Sequence, residues 1–112
     1  MAEVVTLIQD MLFSSKVREV AKATGRSVQS TRDPAAFAAA AAGAQLAIVD
    51  LRLPFALEAL EALAGRAART VGFIDHEKTD VMEAARAKGC SEVMAKGQFA
   101  NALPKLFASL AG

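Results

Sequence analysis

The sequence predicts a single α/β domain in which five strands alternate with five helices around a parallel sheet. Three observations point there. The runs Val4-Val5-Thr6-Leu7-Ile8, Ala47-Ile48-Val49 and Thr70-Val71-Gly72-Phe73-Ile74 are short and largely apolar without a polar alternate face, as strands covered on both sides must be. Between them, apolar residues recur at helical spacing, closed by single glycines. The chain has 112 residues, enough for one domain that folds on its own core without disulfide or metal support. Alternation of this kind places helices on both faces of the sheet.

The elements follow in order. The first strand, 4–8, ends at Gln9-Asp10. Phe13, Val17, Val20, Ala21 and Thr24 recur at the spacing of a first helix, with Ser14 or Ser15 as its expected cap and Gly25 as its stop. Ser27 to Thr31 alternate and read as a weaker strand nearer an edge. Asp33-Pro34 opens a helix through 35–42, since proline suits the first helical turn, and Gly43 ends it. The alanine run there has the small side chains that let a helix pack closely on a sheet. The third strand ends in Asp50. A helix over 55–64 should turn Leu57, Leu60 and Leu63 inward and Glu58 and Glu61 outward, ending at Gly65. Strand 70–74 follows, then helix 80–88 with Val81, Met82 and Ala85 inward and Gly89 as its stop. Strand 92–95 and a last helix with the stripe Phe99, Leu103, Leu106 and Leu110 complete the fold.

Composition excludes several function classes. The one cysteine, Cys90, rules out a disulfide framework or a thiolate zinc site and fits a reducing, cytoplasmic setting; it reads as a small buried residue rather than a reactive thiol. The net charge is +1 with interspersed signs, and tryptophan and tyrosine are absent, so neither a nucleic-acid surface nor a membrane-binding face is expected. The first residues carry no basic leader, and no apolar segment is long enough to span a bilayer. There is no G-x-G-x-x-G, Walker lysine motif, H-E-x-x-H or Ser/His/Asp set.

Chemistry concentrates on Asp50. In open α/β sheets ligands gather at the carboxyl ends of the strands, and Asp50 closes a buried strand there, with Pro54 four positions on. It is either a functional carboxylate or a structural one, capping a helix or pairing with Lys96 or Arg52. Asp10 is a second carboxylate at the end of the first strand, readable as a turn residue or helix cap. His76 falls just past the fourth strand at the rim of that edge, where it is readable as a ligand but an exposed loop position is the expectation. Met11 and Leu12 lie beside the core residue Phe13 and are expected to be exposed and available to a partner.

Five βα units with an acid after the first strand, Asp50-x-x-x-Pro54 after the third and Gly89-Cys90-Ser91-Glu92-Val93-Met94-Ala95-Lys96 leading through the fifth resemble the receiver domain of bacterial response regulators, over nearly the whole chain. The resemblance implies a flavodoxin-like fold with strand order 2-1-3-4-5, the first and last helices on one face and the other three on the opposite face. It implies Asp50 as phosphoacceptor, Lys96 as the phosphoryl contact, and Mg²⁺ held by Asp10, Asp50 and the backbone carbonyl of Arg52. It also implies a histidine kinase or other signalling protein as partner.

The chain departs from the pattern at four places. Receivers carry an acidic pair where Gln9-Asp10 stands, a hydroxyl where Ile74 stands, an aromatic where Val93 stands, and a proline where Gly97 stands. Losing one acid weakens a divalent-cation site. Losing the hydroxyl and the aromatic removes the groups that would distinguish two states of a switch. The expected function is therefore an atypical, non-enzymatic receiver-like signalling module, a single domain over 1–112 without an effector domain, monomeric or a weak homodimer. It acts through protein–protein contact, with weak Mg²⁺ binding and weak or absent phosphorylation. The competing readings are a working phosphorelay receiver that accepts phosphate on Asp50, and a small enzyme or ligand-binding domain of another family.

Overall fold

The computed structural model describes residues 2–63 and 69–111. The elements run β1 (Val4–Leu7), α1 (Met11–Thr24), β2 (Val28–Thr31), α2 (Pro34–Ala41), β3 (Leu46–Asp50), α3 (Ala56–Ala62), β4 (Thr70–Ile74), α4 (Thr79–Ala87), β5 (Glu92–Ala95) and α5 (Lys96–Ala108). The strands form one five-stranded sheet in the order β2-β1-β3-β4-β5, and every pairing is parallel. The expected architecture and strand order are therefore observed. β2, the one alternating strand, is at an edge with Gln29 and Ser30 exposed.

Successive strand residues point to opposite faces of the sheet, and the core divides accordingly. Val4, Leu46, Ile48, Val71 and Phe73 pack with Phe13, Val17, Phe99, Leu103 and Phe107 from α1 and α5. Val5, Leu7, Ala47, Val49 and Ile74 pack with Phe37, Ala41, Ala59, Leu60 and Ala85 from α2, α3 and α4. The alanines of α2 play the part expected of them: Ala38 and Ala41 are buried against the sheet side of the helix. The first face holds an aromatic cluster. Phe73 and Phe99 stack at 4.3 Å, and Phe13 lies 5.0 Å from Phe73.

One local expectation is corrected, and the structure adds detail at others. Ser14 and Ser15 do not cap α1. Asp10 does, accepting the N–H groups of Leu12 and Phe13, and the two serines sit inside the first turns. An aspartate at that position answers the unpaired donors of the helix end directly. In and just after α3, Leu60 and Leu63 are buried as expected and Leu57 is half-buried against the same core, while Ala56 and Ala59 are buried as well. The expected end of α3 at Ala64 and Gly65 lies outside the described residues. In α5, Phe107 is fully buried and joins the stripe. Finally, α5 follows β5 with no loop, so Lys96 is its first residue.

The chain ends are tied to each other. Arg26 holds Glu3 at 2.6 Å and donates to the carbonyls of Leu110 and Ala111. Gln45 adds a reciprocal pair of hydrogen bonds to Ala111.

Candidate functional site

The carboxyl edge of the sheet brings together the residues that the sequence singles out. Asp50 is the last residue of β3 and has no solvent-accessible surface. Its two oxygens are fully engaged. Oδ2 accepts the backbone N–H groups of Gln9 (3.3 Å) and Asp10 (3.4 Å) at the β1–α1 turn. Oδ1 accepts the Arg52 backbone N–H at 3.1 Å and the Arg52 Nε–H at 3.4 Å. A buried carboxylate needs such donors and a counter-charge, or its burial would be prohibitive.

Arg52 supplies the counter-charge. From its place two residues after Asp50, its guanidinium turns back over the strand end and also reaches Asp10, with Nη2 donating to Oδ2 at 2.9 Å. One cation thus spans both carboxylates. The guanidinium is suited to this because its donors lie in a fixed planar fork. Burial works to lower the Arg52 pKa, but hydrogen bonding and charge from Asp50 and Asp10 outweigh it and raise it above the ordinary arginine value. Burial likewise works to raise Asp10; the N–H groups of Phe13 and Leu12 and the charges of Arg52 and Lys96 outweigh it, and its carboxyl is held below the usual aspartate value.

Lys96 comes to the same edge but pairs with Asp75, Nζ lying 3.3 Å from Oδ1, and it rests 5.6 Å from the centre of the Phe13 ring. Among the described residues its ion-pair partner is Asp75, not Asp50. Ile74, where the resemblance calls for a hydroxyl, is buried in the core shared with α2, α3 and α4, and Val93 is half-buried against that same core. His76 is exposed, and so are Met11 and Leu12. Cys90 is buried, and that burial pushes its thiol pKa up, contrary to what a reactive thiol needs.

The donor chemistry of Asp10 and Asp50 suits a hard cation such as Mg²⁺, which uses one or two carboxylates and retains water. The space does not, since the guanidinium already bridges the pair. Among the described residues no three His, Cys, Asp or Glu side chains converge on a common point. The sequence points to Arg52 here for its backbone carbonyl and for a side chain that can pair with Asp50 or take the cation's place. Its bridge to Asp10 and the Lys96–Asp75 pair were not anticipated. The signal available for the first was an arginine two residues from the strand-end acid; for the second, an aspartate closing β4.

No protein-family model matches the chain, and no curated protein matches it. Solved structures do. A response regulator from Hahella chejuensis matches with a TM-score of 0.77 at 20% identity, covering 96% of this chain and 93% of that one. A response regulator receiver domain from Rhodospirillum rubrum matches at 0.71 and 16%, covering 93% and 89%. The receiver domain of a sensor histidine kinase from Pseudomonas aeruginosa matches at 0.77 and 14%, covering 97% and 96%; that structure has a magnesium ion coordinated in its active-site cleft. The chain has the fold of a response-regulator receiver domain.

Proposed function

We propose that this receiver-fold chain is a signalling module that works through protein–protein contact, with Asp50 serving as part of a fixed ionic lock rather than as a phosphate switch. The observation that carries the reading is the bridge of Arg52 to both Asp50 and Asp10 over a fully buried Asp50 carboxylate. A nucleophile must reach its electrophile in line, and an acyl phosphate needs its new charge neutralised by a cation with open positions. Here the nucleophilic oxygens are covered and the cation is a side chain of the protein.

Three further features agree. Lys96 is engaged by Asp75, Ile74 has no hydroxyl to offer, and Val93 cannot report a rearrangement as a large aromatic would. A two-state device needs contacts that differ between its states, and these substitutions leave few. Mg²⁺ binds weakly in this reading, because it must displace Arg52. The partner is a histidine kinase or another signalling protein of a two-component system, the role in which domains of this fold serve.

The test is direct. The protein is incubated with Mg²⁺ and acetyl phosphate and weighed by intact mass spectrometry, and titrated with beryllofluoride while amide shifts are followed. No phosphoryl adduct and no Asp50-dependent shift are expected. Partner affinity, once a partner is captured, should change by less than about tenfold in Asp50→Asn, roughly 1.4 kcal/mol. An adduct on Asp50, with a beryllofluoride response lost in Asp50→Ala, would instead establish the phosphate-accepting receiver.

A further inference from the structure

Beside the Asp50 site, a cleft of about 300 Å³ opens at the carboxyl ends of β1 and β2. Its apolar surface comes from Leu7 and Ile8 after β1, Met11 of α1 and Leu53 of the segment that follows β3. Arg18 of α1 and Arg32 after β2 also line it, and no acidic side chain does.

The two arginines differ from others in the molecule. Arg26, Arg52 and Arg69 each hold a carboxylate. Among the described residues neither Arg18 nor Arg32 forms an ion pair. Arg18 is steadied by hydroxyls instead, donating to Ser14 at 3.1 Å and to Ser15 at 3.4 Å. Asp33, the acid beside Arg32, accepts the Ala36 N–H as the cap of α2. Two arginines without an acidic partner among the described residues therefore line one concavity that also has an apolar wall. The rest of the lining is polar, from Gln9, Ser14, Ser30 and Thr31, so the cleft sets an apolar wall against a polar one. That suits a ligand with an apolar body and a charged head, and guanidinium forks match carboxylate and phosphate geometry.

We propose that this cleft binds a small organic anion, its carboxylate or phosphate head held by Arg18 and Arg32 and its apolar body laid over Ile8, Met11 and Leu53. The site lies outside the Asp50–Arg52–Asp10 lock and does not depend on whether Asp50 accepts phosphate.

The experiment is an NMR titration of the full labelled chain with hexanoate, hexyl phosphate, acetate and inorganic phosphate. Both six-carbon anions should shift the Ile8 and Leu53 methyl groups and the Arg18 Nε–H, and bind at least about tenfold more tightly than the short anions. Which of the two binds better identifies the head group. Arg18→Gln with Arg32→Gln should weaken binding by about tenfold or more, and Leu53→Glu, which puts a like charge in the rim, should abolish it. The spectral dispersion of each variant reports whether it folds. No shift with either six-carbon anion at millimolar concentration overturns the proposal. So does equal binding of hexanoate and acetate, or an affinity unchanged in a folded arginine double variant.

Discussion

Arg52 turns back on Asp50, its Nε 3.4 Å from Oδ1, and in doing so bridges the carboxylate that ends β3 to the one that caps α1. The same guanidinium fixes the β3–α3 segment to the start of α1. It also sets the energetics of the site, because the fully buried Asp50 keeps its counter-charge without any metal.

Arg52→Ala removes that counter-charge and opens the carboxylate pair. Breaking a buried ion pair costs about 3–5 kcal/mol where both partners are buried. Arg52 is 38% exposed and Asp50 keeps three backbone donors, so the expected loss is nearer 1–2 kcal/mol. Millimolar Mg²⁺ should recover part of the loss in the variant and leave the wild type unmoved. Urea denaturation with and without Mg²⁺ measures both, and equal Mg²⁺ responses in the two proteins would show that Arg52 does not stand in the cation's place.

Restoring the missing acid should work only with the lock open. Gln9 donates its backbone N–H to Asp50, and its side chain is exposed at the mouth of the site. Gln9→Asp alone should gain little Mg²⁺ affinity, whereas Gln9→Asp in the Arg52→Ala background should gain about tenfold or more. Calorimetry on the four proteins forms a double-mutant cycle, and the expected signature is strong non-additivity.

Gly72 is a packing requirement of the same region. A Cβ there would lie 2.9 Å from Cδ1 of Leu51 and 3.0 Å from its Cδ2 and Cγ. Leu51 is itself buried, directly after Asp50, with its N–H bonded to Phe73. The neighbour has little room to yield, so Gly72→Ala should destabilise by about 1–3 kcal/mol. Thermal denaturation gives the loss. Leu51→Ala in the same background should return part of it, which a purely conformational penalty at residue 72 would not allow.

Asp10 supplies a pH dependence of known sign. Its folded pKa lies below the unfolded value of 3.8, so its contribution is complete above that value and is lost as pH falls through the folded pKa. Asparagine can cap a helix nearly as well but cannot pair with Arg52 as an anion. The stability difference between wild type and Asp10→Asn should therefore be constant from neutral pH to about 5 and shrink below about 4. Urea midpoints across that range check it, and a difference that stayed constant down to pH 2 would contradict the assignment.

Most of the fold was legible from local pattern. Apolar runs without alternation marked the buried strands, and strands 70–74 and 92–95 matched residue for residue. Phe13, Val17 and Ala21 marked the buried face of α1. The error fell where two local signals competed. Ser14 and Ser15 are good caps by type, yet Asp10 stood nearer the strand end and took the Leu12 and Phe13 donors. In α3 the detail missed was Ala56 and Ala59, small residues buried deeper than the half-buried Leu57. Close packing there rewards shape over hydropathy, which no count of apolar residues reveals.

The sequence by itself determined the architecture, because hydrophobic period, capping residues and short connections are local properties that leave few topologies for a chain of this length. It also determined the cast of the site: Asp10, Asp50, Arg52 and Lys96. What only the tertiary structure decided was who pairs with whom. Arg52 is separated from Asp10 by 42 residues, and Lys96 chose between Asp50 and Asp75 by the point at which α5 begins. Ion pairing falls off over a few ångströms, so a register or helix start that shifts a side chain by one turn exchanges its partner. That is a distance set by the packed fold, and it is not written in the spacing of the residues.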